Sequence, residues 1–322
     1  MELKKIAIQG FLISCVIAMT MTGCSLSQNS KQIEAYRKEG IEQLESGKYK
    51  KAISVFQQGV DASDSEMSDL KEDIYYYLAL AQYKNGQWKD AVQTYNMLIE
   101  KGSAPWKAYY LRGCLYLKNN QEASALQDFD QAISKNTNDY ELYINIYFNL
   151  RACGNLNKAK EYAQKGLLTK SNEKDADSYL GYLKYLTGDT KGAKIELKAA
   201  AKKSELAYLY LGIIEARANQ LQNAKKRFLH YAETYSDNGD KLLIVARSAV
   251  KVKLYEEGIH YYQSAIKLFD SESKKKELQR EVIAVYESKG DYVMALKGAE
   301  DFLKQYPNDS AMKRELVFLK TR

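Results

Sequence analysis

Residues 72–103 read EDIYYYLALAQYKNGQWKDAVQTYNMLIEKGS, and the reading of this stretch decides the fold. In its first half Tyr75, Leu78, Ala79 and Tyr83 fall at i, i+3, i+4 and i+8, which is one face of a helix. Lys84-Asn85-Gly86-Gln87 interrupts the pattern, and Gly86 can take the left-handed conformation that ends a helix without a Cβ penalty. The second half, Trp88, Ala91, Val92, Tyr95 and Leu98, is again a single helical stripe. The stretch is therefore a helical hairpin, with the alanine allowing close backbone approach. Neither helix is long enough to be stable alone in water, so burial against neighbours must hold it.

Working outward, the same pattern recurs. Ala91, Ala125, Ala159 and Ala193 stand 34 residues apart, and the full series of small anchors from Ala52 through Ala224 and Gly258 to Ala295 steps by 39, 34, 34, 34, 31, 34 and 37. Each anchor follows a first stripe and opens a second: Tyr109, Gly113 and Tyr116 precede Ala125, Phe129 and Ala132, and Tyr208, Leu211 and Gly212 precede Ala224 and Phe228. A period of this length means stacked supersecondary units, each burying its face on the next.

These residues resemble the tetratricopeptide repeat, whose pattern is W-x2-L-G-x2-Y, then A-x3-F, then P. Tyr208-x2-Leu211-Gly212 with Ala224-x3-Phe228 matches most closely, and Ala52-x3-Phe56 and Ala125-x3-Phe129 match well. The final unit alone keeps the proline, at Pro307, and no unit keeps a tryptophan in the first place. The resemblance implies an all-α, right-handed α-solenoid of about eight hairpins over residues 33–307. Residues 308–322 are then a capping helix with Met312, Leu316, Val317 and Leu319 along it. With no Pro- or Ser-rich linker after residue 30, one continuous array is expected.

Residues 1–23 read as an address. Lys4 and Lys5 precede an apolar run, Ile6 to Met21, which ends at Met21-Thr22-Gly23-Cys24. This resembles the bacterial lipobox, which implies cleavage before Cys24 and a diacylglycerol on its sulfur, with 24–32 as lipidated residue and polar tether. Two acyl chains suffice for stable attachment without a spanning helix. The alternatives are an uncleaved anchor or a signal cut without lipidation, and Cys15 is a second, weaker lipidation candidate. The expected location is the extracytoplasmic face of the cell membrane, or the outer membrane of a diderm organism. Cys114 and Cys153 then remain, and both read as small buried apolar residues.

Little in the sequence points to catalysis. His230 and His260 lack any companion ligand at metal-binding spacing, and no phosphate-cradling or nucleophile motif occurs. No enzyme, cofactor or metal is expected. The net charge of +7 falls by one without the leader and is mild, which with the export signal argues against nucleic acid. Two features remain as candidates for binding. By register with the family, Tyr76, Tyr83, Tyr110, Phe148, Tyr182, Tyr185 and Ile213 fall near the groove lined by first helices, with Arg37, Lys118, Arg151 and Arg217 at its edges. Aromatic area with a polar tip suits a peptide or sugar, and the same rings equally suit packing between helices. The second feature is a basic stripe, Lys191, Lys194, Lys198 and Lys202, which could meet an anionic wall polymer or simply be a solvated face. Family members that hold a partner's C-terminal carboxylate use Lys and Asn in the groove. Here those places hold Tyr76, Tyr110, Cys114, Ile144 and Leu209, so that clamp is not expected. The leading expectation is a membrane-anchored scaffold for other envelope proteins; the alternatives are a glycan or wall-polymer module and a lipid-tethered enzyme.

Overall fold

The computed structural model describes residues 28–63 and 66–322. The leader, Cys24 and the first part of the tether lie outside the described residues. The described chain holds seventeen α-helices and no strand. They are α1 (Gln28–Glu45), α2 (Tyr49–Asp61), α3 (Asp69–Lys84), α4 (Trp88–Lys101), α5 (Pro105–Lys118), α6 (Glu122–Lys135), α7 (Tyr140–Ala152) and α8 (Leu156–Leu167), followed by α9 (Ala176–Thr187), α10 (Thr190–Ala200), α11 (Leu206–Arg217), α12 (Leu221–Thr234), α13 (Gly239–Lys251), α14 (Tyr255–Leu268), α15 (Glu272–Lys289), α16 (Tyr292–Gln305) and α17 (Ser310–Leu319). Consecutive odd and even helices pair into eight hairpins, α1 with α2 through α15 with α16, and α17 closes the series. The chain divides into two compact units, one ending at Ser171 and the other spanning Asn172–Arg322. The longest stretch between helices, residues 168–175, falls at that division.

Within each hairpin the turn is built the same way. One residue per turn has a positive φ: Gly47, Gly86, Asn120, Gly154, Gly188, Asn219, Lys253 and Gly290. Each lies five residues before its small anchor, so the turns carry the same beat as the alanines. At Gly86 the amide donates to the Tyr83 carbonyl at 3.0 Å and the next amide, of Gln87, reaches back to Gln82 at 2.9 Å. Lys253 and Leu254 make the same two bonds to Val250 and Ala249, at 2.9 Å each. This paired pattern satisfies the last carbonyls of the first helix. At Lys253 a side chain tolerates φ of 67° because the turn is otherwise complete, at a conformational cost of about 1 kcal/mol.

The anchors explain the period. Ala52, Ala91, Ala125, Ala159, Ala193, Ala224 and Ala295 are all fully buried, and Gly258 is buried with them. Four residues after the anchor comes the residue that fills the hairpin, and its size is matched across the pair. A Cβ built at Gly113 would lie 2.8 Å from the Phe129 ring, and one at Gly212 would lie 2.7 Å from Phe228. Gly181 stands in the same relation to Leu197, and Gly40 to Phe56. In two hairpins the sizes are exchanged: Tyr147 and Ile283 occupy the glycine register, and Ala163 and Ala299 the aromatic one. Total volume is conserved while the order is not, as close packing demands.

Eight of the described helix starts are capped by a side-chain oxygen. Ser68, Asp139, Asn155, Asp189, Asn238, Ser271, Asp291 and Asp309 each accept from the amide three residues on. Two sequence expectations are corrected. Cys114 is buried, but Cys153 is exposed, because it follows α7 at a turn where its side chain leaves the helix face. In α17 Met312 and Leu319 are buried, but Val317 is 67% exposed, since it lies off the face that meets α16.

Candidate functional site

The candidate site is sought on the first helices of the hairpins, among side chains that packing does not consume. In the unit ending at Ser171, Tyr76 is 2% exposed, its hydroxyl lies 3.5 Å from the Ala104 carbonyl, and the Lys107 ammonium sits 4.4 Å above its ring centroid. Tyr110 is buried too, and its hydroxyl accepts from Asn149 Nδ2 of α7 at 2.9 Å. Its ring centroid is 6.0 Å from that of Phe129. Both rings are thus fixed between neighbouring first helices, and burial pushes the Tyr76 hydroxyl far above the ordinary tyrosine range. In the unit Asn172–Arg322, Tyr182 is buried with its ring stacked on Tyr210 at 4.1 Å and 2°. Ile213 is buried as well.

The remaining aromatic candidates keep part of their surface. Tyr83 and Phe148 are half-exposed in the first unit, and Tyr185 is half-exposed in the second. Phe148 meets Tyr147 edge-on at 5.3 Å, and Tyr185 stacks loosely on Tyr182 at 6.0 Å. Of the cations at the expected edges, Arg37 is tied to Asp73 at 2.5 Å, while Arg151 and Arg217 are exposed. Burial pushes the Asp73 carboxyl up in spite of that arginine.

The structure brings Tyr83 and Lys118 to one cavity. Its walls are Leu80 and Tyr83 of α3, Tyr95 of α4, and Leu111, Cys114, Leu115 and Lys118 of α5. Lys84, the last residue of α3, stands 34 residues before Lys118, the last residue of α5, so the two hold the same register in successive hairpins. Sequence reasoning named Lys118 and missed Lys84, although their spacing repeats the beat of the alanines. Both side chains are half-buried. Burial lowers both amines below the usual lysine range, and Lys84 is lowered further by the charge of Lys118. No ion pair or side-chain hydrogen bond holds either lysine among the described residues. By contrast, Arg112 of the same helix is gripped by both carboxylate oxygens of Asp128, at 2.8 and 2.6 Å.

The basic stripe belongs to the second unit. Lys191 and Lys198 are exposed on α10, Lys194 is half-buried and donates to Gln220 at 3.2 Å, and Lys202 is exposed in the turn after the helix. Further along, Lys225, Lys226, Leu229, Glu256, Glu257 and His260 line an open groove between α12 and α14, where Lys225 pairs with Glu257 at 2.5 Å. His230 lies 2.9 Å from Glu205 and against the Tyr208 ring. Among the described residues no group of three or more His, Cys, Asp or Glu could hold a metal ion, and no helix is long and apolar enough to cross a membrane.

Comparison with known proteins bears on the fold. A sequence model described as tetratricopeptide repeat matches residues 37–105 and again 76–141. Curated proteins yielded no match. Among solved structures, yeast Tom70 is similar over 99% of this chain and 70% of its own, at 14% identity and a TM-score of 0.55. A tetratricopeptide repeat protein from Parabacteroides merdae is similar over 77% of this chain and 97% of its own, at 12% identity and a TM-score of 0.39. The APC/C hetero-tetramer Cut9–Hcn1 contains a chain of which this one spans 57%, with 91% of this chain covered, at 13% identity and a TM-score of 0.34. The matched repeats, the eight hairpins and the common small-residue beat agree: the chain has the fold of a tetratricopeptide-repeat array, and residues 37–141 match the model of that family.

Proposed function

We propose that this chain is a lipid-anchored, extracytoplasmic scaffold that holds other envelope proteins on the first helices of its hairpins, and that it catalyses no reaction. The observation that carries the proposal is the selective exposure on those helices. Tyr83, Phe148 and Tyr185 keep free surface while neighbouring tyrosines are sealed into packing. Rings with part of their area open and their backbone fixed bind a peptide at small entropic cost. The leader ending at Cys24 supplies the reason to look at a membrane surface.

A photo-crosslinking residue in place of Tyr83, Phe148 or Tyr185, compared with one at the exposed second-helix residue Ile195, tests the surface. Adducts confined to the first-helix positions are expected in native cells, and equal adducts from Ile195 would overturn the assignment. Cys24→Ser is expected to release the protein from the membrane fraction; retention contradicts lipidation at that residue. The exposed lysines 191, 198 and 202 support a second reading, retention on an anionic wall polymer. It requires binding to wall material that weakens steeply with salt and disappears on replacing these lysines.

A further inference from the structure

We propose that Lys84 and Lys118 form a subsite for the side-chain carboxylates of an acidic, extended segment of a partner protein. The inference rests on the scaffold reading and names the chemistry of what is held.

Three observations carry it. First, the fold does not need a lysine at this register. The equivalent residues of the other hairpins are Glu45, Ala152, Leu186, Arg217, Lys251 and Ser288, so an acid, a methyl group, an apolar chain and a hydroxyl all serve there. Second, the pair finds no counter-charge in the free chain. A cation in the last turn of a helix is favoured by the helix dipole, but Lys101 and Lys135 meet that need while exposed. Lys84 and Lys118 instead give up part of their hydration without acquiring a counter-charge. Lys118 acts on Lys84, and the Cys153 and Cys114 thiols act on Lys118, with no carboxylate among these groups. The acid of the preceding hairpin, Glu45, acts on Tyr77. Third, the half-exposed Tyr83 ring shares the cavity wall with Lys118, giving an arriving chain an apolar surface beside the charge.

The ligand is narrowed by the same geometry. Both ammonium groups stand at helix C-termini, where the partial charge of the carbonyls is negative and a compact dianion is penalised. Single carboxylates carried on successive parts of an extended backbone meet one ammonium each. Desolvated ammonium groups bind such carboxylates more strongly than solvated ones, since part of their hydration is already lost.

The test uses the full chain and a labelled peptide alternating Glu and Ser, with its Gln counterpart and inorganic phosphate as controls. Binding is followed by fluorescence anisotropy. The Glu peptide is expected to bind and the Gln peptide not to. Lys84→Met and Lys118→Met are each expected to weaken binding about tenfold, the loss of one charge-assisted contact. The double variant is expected to lose it, and Lys251→Met, at the same register in the other unit, to leave it within about twofold. Both lysine variants should melt at or above the parent, because an uncompensated charge has gone. Equal binding by the variants, equal binding of the Gln peptide, equal competition by phosphate, or a lower melting temperature would each overturn the inference. Crosslinks at the Tyr83 position that persist with no response to the lysine variants leave the scaffold reading standing and remove the acidic segment. Loss of first-helix crosslinks altogether removes both.

Discussion

The two compact units carry the same register and use it differently. In the unit ending at Ser171 two of the residues two places before a left-handed turn are Lys84 and Lys118, both half-buried and without an acid. In the unit Asn172–Arg322 they include Arg217 and Lys251, both exposed. Elsewhere both units pair their desolvated charges: Arg37 meets Asp73 and Arg112 meets Asp128 in the first, while in the second Arg247 meets Glu281 at 2.8 Å with the Tyr262 hydroxyl donating to the same carboxylate at 2.7 Å, and Asp309 receives Lys276 and Arg280. Equal positions in a repeat therefore do not mean equal electrostatics. What distinguishes them is how much water the neighbouring side chains leave to the charge.

The comparison can be broken most directly through the packing. Phe129 and Phe228 are both fully buried against a glycine, one in each unit. Phe129→Ala and Phe228→Ala should each cost about 3–5 kcal/mol. Both tryptophans, Trp88 and Trp106, lie in the first unit, so their fluorescence in a urea titration reports that unit while far-ultraviolet dichroism reports all helices. Phe129→Ala should move the tryptophan transition, and Phe228→Ala only the part of the dichroism that tryptophan does not see. Coincident shifts for both variants would show one cooperative array instead of two units.

A smaller effect is expected at alkaline pH. Burial raises Tyr77 in the first unit and Tyr261 in the second to about 12. A phenol that holds its proton more tightly when folded stabilises the chain below the unfolded value near 10, and that stability is lost as pH rises to 12. The size is about 3 kcal/mol at most for Tyr77. Lys84 and Lys118 have the opposite sign: their folded values are lowered, so their penalty is relieved as pH rises toward 10.5. The Lys84→Met, Lys118→Met double variant should therefore lose stability more steeply above neutral pH than the parent does, measured by thermal melts across the range. Parallel profiles would mean that the lysines are solvated.

The smallest expected effect lies at the turns. Lys253→Gly should stabilise by about 1 kcal/mol, and Gly86→Ala should cost about as much. A Cβ at Gly86 meets nothing within 4 Å, so its cost is purely conformational. Thermal unfolding of the two variants checks this; a neutral Lys253→Gly would mean that the left-handed residue bears no strain.

Much of the fold was legible because the signal is periodic. The anchors from Ala52 to Ala295 mark eight hairpins, and the segment 308–322, read as a capping helix from its apolar spacing, is helical over Ser310–Leu319. The turns were legible where glycine marks them, and hidden at Asn120, Asn219 and Lys253, where hydrogen bonding imposes the same geometry on other residues. The groove residues were harder. Tyr76 and Tyr83 are alike in composition and lie on one helix, yet the first is sealed and the second is open. Nothing in the local sequence separates them, because the neighbour that covers Tyr76 comes from the segment 104–107.

The sequence by itself determined the unit, its period and its small anchors, since each depends on spacing along the chain. Only the tertiary structure decided which tyrosines are spent in packing, which cysteine is exposed, and that Lys84 and Lys118, among the described residues, lose water without gaining a counter-charge. Those outcomes depend on what the next hairpin places opposite a side chain. Burial and desolvation are properties of that juxtaposition and not of the residue's own segment.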